Sequence, residues 1–269
     1  MDLRGASAGS LIALTSELAA AANSGEAAGS VARGLFSASQ TLRAEAALRR
    51  VLADGSASAE AKQGLVRSVF TGHVADEALS VLLSAAGLRW TSGSDLVNAL
   101  EHLSEVALVR SAGAEGDRVV DELFAVERAV SDNSGLRDAL SDPARSVADK
   151  EALLDALLGD KALAATVTLV KQSLTSRFRT VNAALAAYQT VAAEVRNQGV
   201  ATVRVAAPLS AEQQTRLSAA LAHQYGREIH LNTLIDPAVI GGIKVEIGDD
   251  VIDGSIASKL DDAQRALAS

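Results

Sequence analysis

Displaced by 88 residues, the first two-thirds of this chain falls back into register with itself, so its fold must accept the same pattern twice. Only seven of the 269 residues are aromatic, and these rare residues carry the signal: Phe36 falls on Phe124, Trp90 on Phe178, and Phe70 on Leu158. Without a gap from Leu35 to Ser92, the same shift sets Leu35, Leu48, Arg49, Leu52, Asp54, Ser58, Lys62, Leu65 and Arg89 on Leu123, Leu136, Arg137, Leu140, Asp142, Ser146, Lys150, Leu153 and Arg177. A three-residue shortening then aligns Leu96, Leu100, Leu103 and Val106 with Val181, Leu185, Tyr188 and Val191. Any two amphipathic helices can be slid until some apolar positions agree. Sliding does not also bring aromatics, a cap at Ser58 and Ser146, and a loop at Asp54 and Asp142 into register. The spacing predicts a duplicated bundle with about four short helices in each copy.

Near residue 200 the apolar period changes from helical to alternating. Val203, Val205 and Ala207 alternate with Thr202, Arg204 and Ala206 before Pro208 stops the strand. Ser210 and Gln213 have capping-box spacing, and Leu217, Ala220 and Leu221 form the stripe of the helix they start. Two further alternations follow, Ile229, Leu231, Thr233 and Ile235, then Ile243, Val245 and Ile247 with Lys244 and Glu246 on the other side. After Val251-Ile252 the spacing is helical again through Ile256, Leu260, Ala263 and Leu267. The expected fold is α+β: helical copies at 1–110 and 111–198, then a small β-α-β-β-α domain at 199–269 in which a short extra strand is left open.

The residues that usually carry chemistry are scarce. There is no cysteine, which excludes disulfides, zinc-thiolate sites and thiol nucleophiles. His73, His102, His223 and His230 have no metal-pair spacing, and no Gly-x-Ser-x-Gly, Walker or GxGxxG sequence occurs. Asp249, Asp250 and Asp253 form the densest carboxylate group, and an exposed turn with an N-cap at Asp253 or Ser255 explains them more simply than a cation does. Gly241-Gly242 precedes a strand instead of opening a helix, so a bend or close chain crossing fits better than a phosphate cradle. Leu11, Leu14, Leu18 and Ala22 lie on one helical stripe, suited equally to core and to a partner helix. A net charge of −8 without long charge runs argues against nucleic acid or an anionic membrane as main partner. No 18-residue apolar run exists and Met1-Asp2-Leu3-Arg4 opens no leader, so direct membrane insertion is not expected.

The run Ile235-Asp236-Pro237-Ala238-Val239-Ile240-Gly241-Gly242-Ile243-Lys244-Val245-Glu246-Ile247-Gly248-Asp249-Asp250-Val251-Ile252-Asp253-Gly254-Ser255 resembles the C-terminal signature of the delta subunit of bacterial F-type ATP synthases, counterpart of the mitochondrial oligomycin-sensitivity-conferring protein. Pro208-Leu209-Ser210 with Gln213, and the segment 136–194, extend the resemblance over most of the chain. Ordinary members carry one helical domain, the duplicated length is similar to some actinobacterial forms, and the usual Tyr-Ala-x-Ala opening is absent.

The resemblance implies a non-catalytic stator subunit without cofactor. It would sit peripherally at the cytoplasmic face of the bacterial cell membrane and join the catalytic head to the peripheral stalk during proton-driven ATP synthesis. It also implies two partners, the N-terminal helix of the alpha subunit and the C-terminal region of subunit b. The signature positions expected to act in folding and docking are Asp236, Pro237, Ile240, Gly241, Gly242, Lys244, Gly248, Val251, Asp253, Ser255 and Leu260, with Leu11, Leu14 and Leu18 as candidate contacts for the partner helix. A free helical adaptor for some other amphipathic helix, and an enzyme with a dispersed site, are the competing readings.

Overall fold

The computed structural model describes residues 3–21, 25–237, 239, 241–248 and 250–253. It divides into two compact units, Met1–Ala192 and Ala193–Ser269.

The first unit is helical: α1 (Ala6–Ala21), α2 (Gly25–Ala44), α3 (Ala46–Ala53), α4 (Ala59–Phe70), α5 (Asp76–Gly87), α6 (Gly93–Ser111), α7 (Gly116–Asp132), α8 (Ser134–Ser141), α9 (Val147–Leu158), α10 (Ala164–Ser173) and α11 (Val181–Val195), the last running past the boundary between the units. Helices α3 to α6 begin at 46, 59, 76 and 93, and α8 to α11 begin at 134, 147, 164 and 181, each pair 88 apart. The repeat is therefore a repeat of structure. Ser58 and Ser146 both cap their helices, accepting from the backbone N–H of Ala61 at 3.2 Å and of Asp149 at 3.1 Å. Asp54 and Asp142 both accept from the amide two residues on, at 2.8 Å each. Arg49 and Arg137 each donate to a carbonyl six residues back, that of Arg43 at 2.9 Å and of Ser131 at 3.1 Å.

Two expectations change. The three-residue shortening is absent, because α6 and α11 start 88 residues apart. In that register Val97 matches Leu185, Leu100 matches Tyr188 and Leu103 matches Val191, all buried. A slip of about one helical turn keeps an apolar stripe on the same face, so hydrophobic matching alone cannot detect it. The count of about four helices per copy also falls short. Helix α1 packs on α5 as α6 packs on α10, so α6 closes the first copy and opens the second. Each copy has six helices and α6 belongs to both; the boundary expected at 110/111 falls in its last turn.

The burial of α6 follows from this double membership. Leu96, Val97, Ala99, Leu100, Leu103, Val106, Ala107, Leu108 and Val109 are all buried, a span too wide for one neighbour to cover, and between Leu96 and Val109 only Asn98 and His102, on the stripe that begins at Ser94, keep some exposure. Helix α2 meets it with small and branched residues, Ala28, Val31, Ala32, Leu35, Ala38 and Leu42, all at most 1% exposed. Gly34 lets α2 approach α5 closely, since a Cβ there would stand 2.6 Å from that of Ala78.

The second unit holds β1 (Gln198–Val205), α12 (Ala211–Tyr225), β2 (Glu228–Ile235), β3 (Ile243–Ile247) and β4 (Asp250–Asp253), so the extra strand is present. The sheet order is β2-β1-β3-β4, with β1 parallel to β2 across the α12 crossover and antiparallel to β3. Ala201, Val203, Val205, Leu221, Ile229, Val245 and Ile247 form its core, with Leu217 packed against them. The capping box forms as its spacing predicts: Ser210 Oγ accepts from Gln213 N at 3.2 Å and Ser210 N donates to Gln213 Oε1 at 2.8 Å. The alternation along β2 is less regular than expected, with Ile235 56% exposed at the end of an edge strand and Leu234 buried. The helix expected at 256–267 lies outside the described residues.

Two tests follow from the repeat. Ser58→Ala and Ser146→Ala should each lower stability by about 1 kcal/mol and should add in the double variant, as measured by urea unfolding. Fragments 1–111 and 93–195 each contain a complete six-helix copy and should melt cooperatively by circular dichroism, whereas 112–195, lacking α6, should not.

Candidate docking surfaces and a buried ionic cluster

Most of the signature lies on the turn between β2 and β3 and on the two strands after it. Asp236 N donates to Val205 O at 2.8 Å, continuing the β1–β2 ladder, and then Val239 N to Asp236 O at 3.0 Å and Gly241 N to Val239 O at 2.9 Å turn the chain. Gly241 and Gly242 have φ of +65° and +80°, and Gly248, between β3 and β4, has +58°. These are left-handed conformations in which a Cβ is penalised. The glycine pair therefore shapes the chain, as its position before a strand predicts.

The turn places Asp236 beside Arg204 of β1, at 3.9 Å, and the same guanidinium lies 3.5 Å from Glu246, which Lys244 approaches to 3.2 Å. These groups are about one-third exposed, which leaves each pair worth well under 1 kcal/mol. Lys244 is paired in register with Asp253, so three charged signature positions gather around Arg204 and the strands beside it. Val251 is 59% and Ile252 37% exposed on the edge strand β4. Pro237 occupies the turn itself. Ile240, Ser255 and Leu260 lie outside the described residues, as does Asp249 of the carboxylate group.

Asp250 accepts from Tyr225 Oη at 3.3 Å, and removal from water, then the Asp250 charge, raises that phenol above its usual value. No group of three His, Asp or Glu side chains suited to a metal occurs among the described residues.

The N-terminal stripe is corrected in part. Leu14 and Leu18 are fully buried and line the bundle interior, so they offer a partner no surface. Leu11 is half-buried, and Ile12 beside it is 70% exposed.

One cluster escaped the sequence reading. Glu101 and Glu105, one turn apart on α6, are both wholly buried. Arg43, at the end of α2, donates to Glu101 Oε2 and to Thr175 O, the latter at 2.8 Å. Arg177, in the connection from α10 to α11, donates its backbone N–H to Glu101 Oε1 at 2.8 Å and its guanidinium to both oxygens of Glu105, at 2.6 and 3.3 Å. The guanidinium also lies 4.5 Å over the Phe178 ring, which meets Tyr188 edge-on at 6.0 Å. Burial pushes the Tyr188 phenol far above its ordinary range, and the charges of Glu105 and Glu101 push it further. The available signal was two glutamates four apart among the leucines and valines of one helix, together with the matched Arg89 and Arg177.

Gly242→Val should destabilise the second unit by about 1–2 kcal/mol, seen as a lowered urea midpoint in full-length protein with the helical unit's own unfolding unchanged.

Residues 106–267 match the family described as ATP synthase delta (OSCP) subunit. Among curated proteins the chain is similar to the ATP synthase subunit delta of a Nocardioides species, 49% identical over 268 residues covering 99% of this chain and 98% of the relative. The subunit delta of Streptomyces avermitilis is 42% identical over 84% of each chain, and that of Streptomyces coelicolor 42% identical over 90% of this chain and 89% of its own. The family match begins inside α6 and takes in most of the second copy with the C-terminal unit, while the Nocardioides alignment takes in the first copy as well. The chain belongs to the ATP synthase delta (OSCP) family.

Proposed function

We propose that this protein is the stator subunit that ties the catalytic head of a proton-translocating F-type ATP synthase to its peripheral stalk and resists rotor torque. Family membership carries the reading. The subunit is non-catalytic: it supplies a reaction torque and makes no contact with a transition state. No described helix is long and apolar enough to cross a membrane, which suits a peripheral position on the complex, here assigned to the cytoplasmic face of the cell membrane.

Two partners follow from this reading. The helical unit receives the amphipathic N-terminal helix of the alpha subunit, in the manner of a helix laid into a groove, with Leu11 and Ile12 available at the rim of α1. The C-terminal unit meets the C-terminal region of subunit b through the signature around Asp236, Lys244 and Val251. On this reading the two helical copies, which share α6, serve the head, and the C-terminal unit serves the stalk.

Added to synthase stripped of this subunit, the protein should restore ATP-driven proton pumping in vesicles while leaving the hydrolysis rate of the detached head nearly unchanged. The purified chain should hydrolyse no ATP. A chain ending at residue 195 should still bind an alpha-subunit N-terminal peptide and should fail to attach to subunit b; attachment by that truncation would overturn the assignment of the C-terminal unit.

A further inference from the structure

We infer that the Arg43–Glu101–Arg177–Glu105 cluster is a register lock fastening the two helical copies into one block, with Arg43 and Arg177 as positioning residues that hold the start of α11 against α6. The use of such a block to a torque-resisting subunit rests on the function proposed above; the lock itself does not.

The repeat provides an internal comparison. In the first copy the connection from α5 to α6 is held by neutral hydroxyls of α1: Ser10 donates to Arg89 O at 2.7 Å, and Thr91 N donates to Ser7 Oγ at 2.9 Å. In the second copy the equivalent connection, between α10 and α11, is held by carboxylates of α6 instead. The counterparts of Glu101 and Glu105 in α1 are Ala13, which is exposed, and Glu17, which accepts from Ser84 Oγ at 2.7 Å. Hydroxyls therefore suffice to close a copy. Glu101 and Glu105 lie where the copies meet, and there an arginine of the first copy, Arg43, joins them; the other buried charged residue among those described, Lys62, lies on α4 within the first copy.

The physical need is register. The apolar seam of Leu96, Leu100 and Leu103 tolerates a slip of about one turn, since such a slip keeps the same face inward. The carboxylates do not tolerate it. Glu101 has one oxygen on Arg43 and the other on the Arg177 amide, and Glu105 is gripped by both ends of the Arg177 fork. A slip would strip Glu101 of both partners and leave Glu105 only the His102 ring of its own helix, 3.3 Å away, and fixing register is the best-attested use of buried polar groups.

The test uses the full-length protein. It has no cysteine, so Ser37→Cys on α2 and Ala186→Cys on α11, both exposed, accept spin labels specifically. Arg177→Met should speed amide exchange at least tenfold in residues 174–195 and also in the last turns of α2, which Arg177 does not belong to. Arg177→Lys should recover only part of the protection, because it keeps the charge and loses the fork.

The neutral variant Arg43→Met with Glu101→Gln, Glu105→Gln and Arg177→Met should fold and show two label distances differing by about 5 Å, one helical turn. Exchange changes confined to 174–195, or a single native distance in the neutral variant, would overturn the lock. If Arg177→Met does not fold, the lysine variant decides by the same exchange readout in α2. All these measurements are made on the isolated protein, so their failure leaves the stator assignment standing, and failure to restore coupling leaves the lock standing.

Discussion

The helical unit depends on one helix that its neighbours cover almost completely. Helix α6 is buried along nearly its whole length, yet it carries two carboxylates at zero exposure. Removing a charge from water is expensive enough that it persists only with close, well-oriented partners. The partners come from both copies, Arg43 from the first and Arg177 from the second. The same few hydrogen bonds therefore tie residues of both bundles to one helix. Ser104 and Gln172 add a neutral bond along the same contact, between α6 and α10.

Sharing a helix also explains how a domain can be doubled without a linker. Two separate bundles joined by a flexible segment would keep independent motions, and their interface would be of the modest, mobile kind usual between domains of one chain. Here the last helix of one bundle is the first helix of the next, so the copies have one core running through α6 and no surface at which to part. The local signals agree at both levels. Matching caps at Ser58 and Ser146 and matching arginine-to-carbonyl bonds from Arg49 and Arg137 set the corners, while the apolar stripe sets the interior. Such agreement between local and global preferences marks a sequence with few competing folds.

Much of this was legible in the sequence, for identifiable reasons. Large residues in an alanine-rich chain act as landmarks, so the 88-residue register was visible, and the capping box at Ser210 and Gln213 announced α12. The reversal at Gly241-Gly242 could be read from its place between two apolar alternations, because only glycine enters left-handed backbone there without strain. The role of α6 could not be read. A sequence shows that a helix is apolar but not how many neighbours cover it, and apolar matching cannot distinguish true register from a slip of one turn. The stripe through Leu11, Leu14 and Leu18 was ambiguous for a related reason: a face made for the bundle interior and one made for a partner helix have the same composition. The ionic cluster was invisible as a unit because its members lie up to 134 residues apart (177 − 43) and meet only in the folded chain.

A subunit that resists torque gains from deforming little under load, which a large hydrophobic core does not guarantee by itself. Hydrophobic attraction is non-directional and roughly proportional to buried area, so it penalises separation strongly and sliding along a smooth seam only weakly. Close packing of branched side chains raises the resistance to sliding, but the ridges that leucine, valine and alanine form along α6 repeat every turn. A directional contact within such a seam changes the response. The bidentate grip of Arg177 on Glu105 is lost within a fraction of a turn, and its loss leaves that desolvated carboxylate with only the His102 ring of its own helix, 3.3 Å away. Area thus holds the two copies together and orientation keeps them in place. The second contribution rests on four side chains that add little to the size of the core.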